Sequence, residues 1–262
     1  YEGDIMIYFT DLDRTLIYSK KLICRDIDEV PIERYKGEYI SYMTNKSIES
    51  IKNIIKKHIV VPTTTRTIEQ YNRIEFNEKD INFTWAIVCN GGHILYKGEP
   101  LKLWEDKVLE ELKKSFDFNE VREKFKEWEN NEGVIKVREV EKLFFYGILD
   151  VDKYKEESLD VFKEYLLEAK WNVYRTGRKI YFLPDILQKE KAVKFLCEYL
   201  NYERYNALGD SIMDLNMLKR ADKAYIPNGS YIYENYKSNS FFISENIGLK
   251  GGEEILKNID ND

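Results

Sequence analysis

The stretch Asp4-Ile5-Met6-Ile7-Tyr8-Phe9-Thr10-Asp11-Leu12-Asp13 decides how the chain is read. It opens as a short, mostly apolar, β-favouring run and stops at two aspartates, which is how a buried parallel strand ends. Asp11 and Asp13 therefore belong at a strand's carboxyl end. Downstream, Ile48, Ile51, Ile54 and Ile55 follow helical spacing behind Thr44 or Ser47 as N-cap, and His58-Ile59-Val60-Val61-Pro62 reads as a second strand. That strand runs into Thr63-Thr64-Thr65-Arg66, and a helix-like stretch covers 68–74. A third strand, Trp85-Ala86-Ile87-Val88-Cys89, ends in Asn90-Gly91-Gly92.

Near Leu101 the texture changes to charged, amphipathic sequence. Trp104, Val108, Leu112 and Phe116 recur at i+4, Asp117 and Glu120 frame a capping box, and Val121, Phe125 and Trp128 carry on a helical stripe. Two β-like runs (133–140 and 142–149), a helix over 153–170 and two more runs (171–175 and 179–183) follow, the last pair joined at Thr176-Gly177-Arg178 as a hairpin. Acidic and basic residues nearly balance here, as on solvated faces. After Pro184 the first texture returns: Ala192, Phe195, Leu196 and Leu200 line one side of a helix, and a strand over 204–208 runs into Gly209-Asp210-Ser211. Asp214 lies in the next helix, and Ala224-Tyr225-Ile226-Pro227 reads as the last core strand. The predicted class is α/β: a Rossmann-like parallel-sheet core from 1–98 and 184–262, with 99–183 inserted as an α+β domain.

Composition narrows the function. The 262 residues are 43% hydrophobic and 34% charged, a globular balance, and the net charge of -6 leaves no basic excess for a nucleic-acid partner. No apolar run reaches the ~18–20 residues of a membrane helix, and Tyr1-Glu2-Gly3-Asp4 has no signal pattern, so a cytoplasmic protein with no membrane partner is expected. Three cysteines (Cys24, Cys89 and Cys197) without a C-x-x-C pair suit a reducing compartment. Two histidines give little material for a His-built zinc site or a Ser-His-Asp triad. Nothing in the sequence sets the oligomeric state.

If the sheet is parallel, strand ends carrying Asp11/Asp13, Thr64 and Asp210 gather along one edge, where open α/β sheets place their sites. Clustered carboxylates in a poorly solvated cleft ask for a divalent cation, and an all-oxygen ligand set suits magnesium rather than zinc.

These residues carry a resemblance to the haloacid dehalogenase superfamily of phosphatases. Asp11-Leu12-Asp13-Arg14-Thr15-Leu16 resembles its D-x-D-G-T-L signature, and Thr64 with Arg66 matches its T-G-R segment. Lys189-Glu190-Lys191-Ala192 is similar to K-G-x-A, and the run from Gly209 to Leu218 resembles G-D-S-x-N-D-x-x-M-L. Asn90-Gly91-Gly92 lies where relatives often carry N-G-A. The insertion resembles the α/β cap of the Cof-like and sucrose-phosphate-phosphatase-like branch. Arg14 replaces the usual Gly after the second aspartate, and Met213 the usual Asn before the last one.

The resemblance implies a magnesium-dependent phosphatase that hydrolyses a small phosphorylated metabolite, a sugar phosphate, through an aspartyl-phosphate. Asp11 would be the nucleophile. Asp13 would protonate the leaving oxygen and then activate water. Magnesium would be held by Asp11, the main-chain carbonyl of Asp13 and Asp210. Thr64 and Lys189 would hold phosphoryl oxygens; the family register favours Lys189 over Lys191, and Thr64 over its neighbours. Arg66, Asn90 and Arg14 would face the substrate, although Arg66 has a carboxylate pairing as an equal alternative. Ser211 and Asp214 would stand behind the metal and Lys189. Arg138, Arg175 and Arg178 of the cap would select the substrate. Two other functions stay open: a phosphomannomutase-like phosphotransferase, and a regulatory or scaffold protein with a vestigial metal site.

Overall fold

The computed structural model describes residues 5–23, 28–236, 238 and 240–261. The opening tetrapeptide, Asp4 included, and Cys24 lie outside them. The chain forms two compact units, one from 1–101 and 189–262, the other from Lys102–Gln188.

In the first unit a five-stranded parallel sheet has the order Phe241–Ile247, Ala224–Asn228, Asn206–Leu208, Ile7–Thr10, Ile59–Pro62. The strand Ile7–Thr10 is central and wholly buried, in keeping with its unbroken apolar character, and pairs in parallel with Asn206–Leu208 on one side and Ile59–Pro62 on the other. A parallel bridge from Thr63 to Ile87 adds the strand Trp85–Val88 beyond Ile59–Pro62. The helix Asn45–Lys57 starts where Thr44 accepts a hydrogen bond from the Ser47 N–H, and it buries Ile48, Ile51 and Ile54 with Ile255, Leu256 and Ile259 of the helix Gly248–Asn261.

Two features of this unit depart from the sequence reading. The last core strand is Phe241–Ile247, not Ala224–Asn228. In addition, Tyr18–Ser19, Glu38–Thr44 and Glu29–Tyr35, where the sequence reading placed no element, form a three-stranded sheet.

The second unit is a four-stranded antiparallel sheet in the order Trp171–Thr176, Lys179–Pro184, Phe144–Leu149, Val134–Val140. Its core is aromatic: Phe125, Trp128, Phe145, Phe162 and Phe182 are all buried, with the Phe145 and Phe182 rings stacked at 4.8 Å. Asp117 caps the helix Phe118–Lys124 through the Asn119 N–H. The helix expected over 153–170 is instead a 3₁₀ segment, Glu156–Phe162, leading into the helix Lys163–Ala169. Leu159, Phe162, Leu166 and Ala169 are its buried residues, and packing of this apolar set, not helical periodicity, shapes the segment.

Candidate active site

Parallel pairing brings the carboxyl ends of Ile7–Thr10, Ile59–Pro62 and Asn206–Leu208 to one edge, so Asp11, Thr64 and Asp210 converge although they are far apart in sequence. Asp11 continues the central strand, its N–H donating to the Leu208 carbonyl at 2.9 Å. Beyond it the chain turns sharply, and the Leu12 carbonyl accepts the N–H groups of Thr15, Leu16 and Ile17.

Lys189 opens the helix Lys189–Leu200 and is 1% exposed. Its Nζ donates to Asp11 Oδ1 and to Asp214 Oδ1, each at 2.6 Å. A fully buried ammonium between two carboxylates is held charged, and the two anions together outweigh the burial that opposes it. Asp214, wholly buried, spends its other oxygen on the Asp210 N–H (3.2 Å), the Ser211 N–H (2.9 Å) and the Ser211 hydroxyl (2.8 Å). The Gly209-Asp210-Ser211 turn is thereby tied to the ammonium through one carboxylate.

Asp11, Asp210 and Asp214 each bring a carboxylate oxygen within 4.8 Å of the others. One ammonium does not neutralise three such groups. Burial, against the pull of Lys189, pushes the Asp11 carboxyl up to about 7, and burial with repulsion from Asp11 and Asp214 raises Asp210. A buried, oxygen-only set short of positive charge fits a hard divalent cation.

Thr64 is buried, and its hydroxyl accepts the Arg66 N–H at 3.1 Å. The Asn90 N–H donates to the Thr64 carbonyl and the Cys89 N–H to that of Arg66, so the turn after Trp85–Val88 is fastened to the threonine segment. Asn90, at φ 54°, is buried. Asp13 is on the exposed side of the turn, outside the acidic cluster, and both its oxygens accept from Arg66, Nε to Oδ2 at 2.7 Å and Nη2 to Oδ1 at 2.8 Å. Arg66 thus takes the carboxylate-pairing alternative. Arg14 is exposed and left-handed, φ 66°, and its charge restrains the rise at Asp210. Met213 is buried in the 3₁₀ turn Ile212–Asp214.

Three residues near these groups escaped sequence reasoning. Glu33 pairs with both Arg66 and Arg73. Tyr18 is buried close enough to Asp210 and Asp11 that, after burial itself, their charges raise its phenol further. No local motif marks any of the three. Of the second unit's candidates, Arg175 is ion-paired with Glu156 and lies over the Tyr154 ring, both within its own unit.

Residues 102–231 match the family model of haloacid dehalogenase-like hydrolases, a segment that includes Lys189, Asp210 and Asp214. No curated protein sequence matches the chain. Among solved structures, the sucrose-phosphatase of Synechocystis sp., in complex with sucrose and phosphate, is 13% identical with a TM-score of 0.70, covering 97% of this chain and 98% of that one. A haloacid dehalogenase-like hydrolase from B. subtilis is 16% identical with a TM-score of 0.65 (97% and 99%). A trehalose-6-phosphate phosphatase related protein is 17% identical with a TM-score of 0.58 (97% and 97%). At such identities the likeness concerns the fold, an α/β parallel-sheet core with an inserted α+β unit. Residues 102–231 are thus similar in sequence to the haloacid dehalogenase-like hydrolases.

Proposed function

We propose that the protein is a magnesium-dependent phosphatase that hydrolyses a small phosphorylated metabolite, a sugar phosphate, through an aspartyl-phosphate at Asp11. The observation that carries this reading is the buried Lys189 ammonium, 2.6 Å from both Asp11 and Asp214, beside Asp210 at the carboxyl edge of a parallel sheet. Such an arrangement suits binding of a phosphoryl group: Asp11 offers an anionic oxygen, and Lys189 offers a cation that a phosphoryl oxygen can share.

Asp11 attacks phosphorus in line; the O–P bond to the leaving group breaks as the bond to Asp11 forms. Asp13 donates a proton to the leaving oxygen and afterwards takes one from the water that cleaves the acylphosphate. Thr64 and Lys189 hold phosphoryl oxygens, and Asp214 holds Lys189 in place. Asp11 and Asp210 would hold the magnesium with the Asp13 carbonyl, and when bound it supplies positive charge between anionic nucleophile and anionic substrate. Asn90 and Arg14 lie on the substrate side. The inserted unit is assigned the discrimination among substrates. The fold likeness to a sucrose-phosphatase and a trehalose-6-phosphate phosphatase related protein supports the sugar phosphate class.

The test is release of inorganic phosphate from a panel of phosphorylated metabolites, with magnesium and with EDTA, using wild type and Asp11→Asn. Release that needs the cation and is lost by orders of magnitude in Asp11→Asn is expected. Transfer of the phosphoryl group to a second hydroxyl without free phosphate would make the protein a phosphotransferase. Phosphate retained on Asp11 without turnover would make it a regulatory protein.

A further inference from the structure

Glu33 carries a buried carboxylate, with none of its surface exposed, in a strand where sequence gives no hint of a site. Successive residues of a strand point to opposite faces, yet Ile32 and Glu33 are both fully buried. The reason lies in the register: Pro31 faces Tyr42 and Glu33 faces Ser41, so one extra residue is accommodated between them, and the bulge turns Glu33 inward.

There it meets a dense set of donors. Arg66 gives Nη1 to Oε1 at 2.9 Å and Nη2 to Oε2 at 3.0 Å; Arg73 gives Nε and Nη2 to Oε1 at 2.8 and 2.6 Å; the Ser41 hydroxyl gives to Oε2 at 2.5 Å. Burial works against the ionised form, but these donors prevail and hold the carboxyl below its ordinary range. On the opposite edge Arg66 grips both oxygens of Asp13, and Nη1 also reaches the Gln70 carbonyl at 3.3 Å. The five N–H groups of a guanidinium are therefore all committed. The main chain of Arg66 is fixed too, its N–H on Thr64 and its carbonyl on the Cys89 N–H.

Stability alone is a poor account of this cluster, because buried ion pairs are commonly replaced by apolar residues at little cost. We propose that Glu33 is a positioning residue for Asp13, acting through Arg66. It holds the guanidinium from behind in one plane, and it supplies the anion that keeps Arg66 neutralised whenever Asp13 takes up a proton from water and turns its protonated carboxyl from Arg66 toward the leaving oxygen. Without Glu33, Arg66 has Asp13 as its one remaining carboxylate among these partners, and proton delivery to the leaving group suffers. This rests on the phosphatase reading above.

The experiment compares kcat/KM for two aryl phosphates of similar size, para-nitrophenyl phosphate, whose leaving group departs without protonation, and phenyl phosphate, whose leaving group needs it. Because the ratio of the two is independent of how much enzyme is folded, it separates positioning from scaffold damage. In Glu33→Gln, phenyl phosphate should lose about tenfold more than para-nitrophenyl phosphate, a fraction of the range found for general acid catalysis. Ser41→Ala, which removes one donor and is the milder change, should move the ratio in the same direction by a smaller factor, and it decides the matter if Glu33→Gln does not fold. An unchanged ratio in the folded variants would overturn the proposal while leaving the phosphatase reading intact. Wild-type enzyme that releases no phosphate from these esters or from the metabolite panel, or Asp11→Asn as active as wild type, would remove the phosphatase reading and this proposal with it.

Discussion

Gly209 and Asp214 are packed so closely that a Cβ on residue 209 would lie 2.5 Å from the Asp214 Cβ and 2.8 Å from its carboxyl carbon. Glycine is required here for approach and not for backbone freedom. The close contact lets the Asp214 carboxylate accept the Asp210 and Ser211 N–H groups while still reaching Lys189.

Gly209→Ala is accordingly predicted to push Asp214 off its partners. Overpacking of this kind costs about 1–3 kcal/mol. Urea denaturation should show a lower midpoint, and phosphate release should fall with it because Lys189 loses one of its two anchors. A midpoint and turnover equal to wild type would mean that the turn relaxes freely.

Lys189 and Lys191 are predicted to behave very differently. Removing the ammonium in Lys189→Met leaves buried carboxylates without their counter-charge, for which a loss of about 3–5 kcal/mol is typical. Lys191→Met, at a half-buried position on the same helix, should cost clearly less than Lys189→Met. Activity should follow the same order. Equal effects at the two positions would refute the choice of Lys189.

The raised carboxyls make stability depend on pH with a definite sign. Asp11 moves from 3.8 to about 7 on folding, and Asp210 is raised as well, so the native state binds more protons than the unfolded chain across that interval. Stability in EDTA should therefore fall as pH rises from about 4 through about 7. Magnesium, bound by the ionised carboxylates, should raise Tm more at pH 8 than at pH 5, and Asp11→Asn should shrink both the pH slope and the magnesium effect. Thermal melts at three pH values, with and without the cation, check this; a Tm indifferent to magnesium at pH 8 would speak against a metal at these carboxylates.

What sequence could and could not reveal follows from how each group is placed. Asp11, Thr64 and Asp210 stand at the ends of apolar strands, so the periodicity that marks a strand also marks its polar terminus, and parallel pairing does the rest. Lys189 on a charged helix start reads as solvated; only the sheet edge behind it explains a buried ammonium. Glu33 and Arg73 were illegible for a different reason. The strand Glu29–Tyr35 has a bulge where alternation fails, so Glu33 reads as surface, and its partners are 33 and 40 residues away. The 3₁₀ segment Glu156–Phe162 was likewise hidden, since its apolar spacing is compatible with an α-helix until tertiary packing tightens it.

Arg14 occupies the position where the family carries glycine, and its φ of 66° gives the reason for that glycine: the turn after Asp13 is left-handed. An L-residue pays roughly 1–2 kcal/mol there. Arg14→Gly should therefore stabilise the fold, seen as a higher urea midpoint, even though it deletes a side chain. The kinetic consequence depends on what the guanidinium does. Exposed and close enough to restrain the rise at Asp210, it is well placed to meet a second anionic or polar group of a substrate. If it does, Arg14→Gly raises KM for the physiological ester by the ~1.5–3 kcal/mol of a hydrogen bond to a charged group, while para-nitrophenyl phosphate, which offers nothing beyond its phosphoryl group, is little affected. A gain in stability with equal kinetics on both esters would show that the arginine is tolerated at a backbone cost and takes no part in recognition.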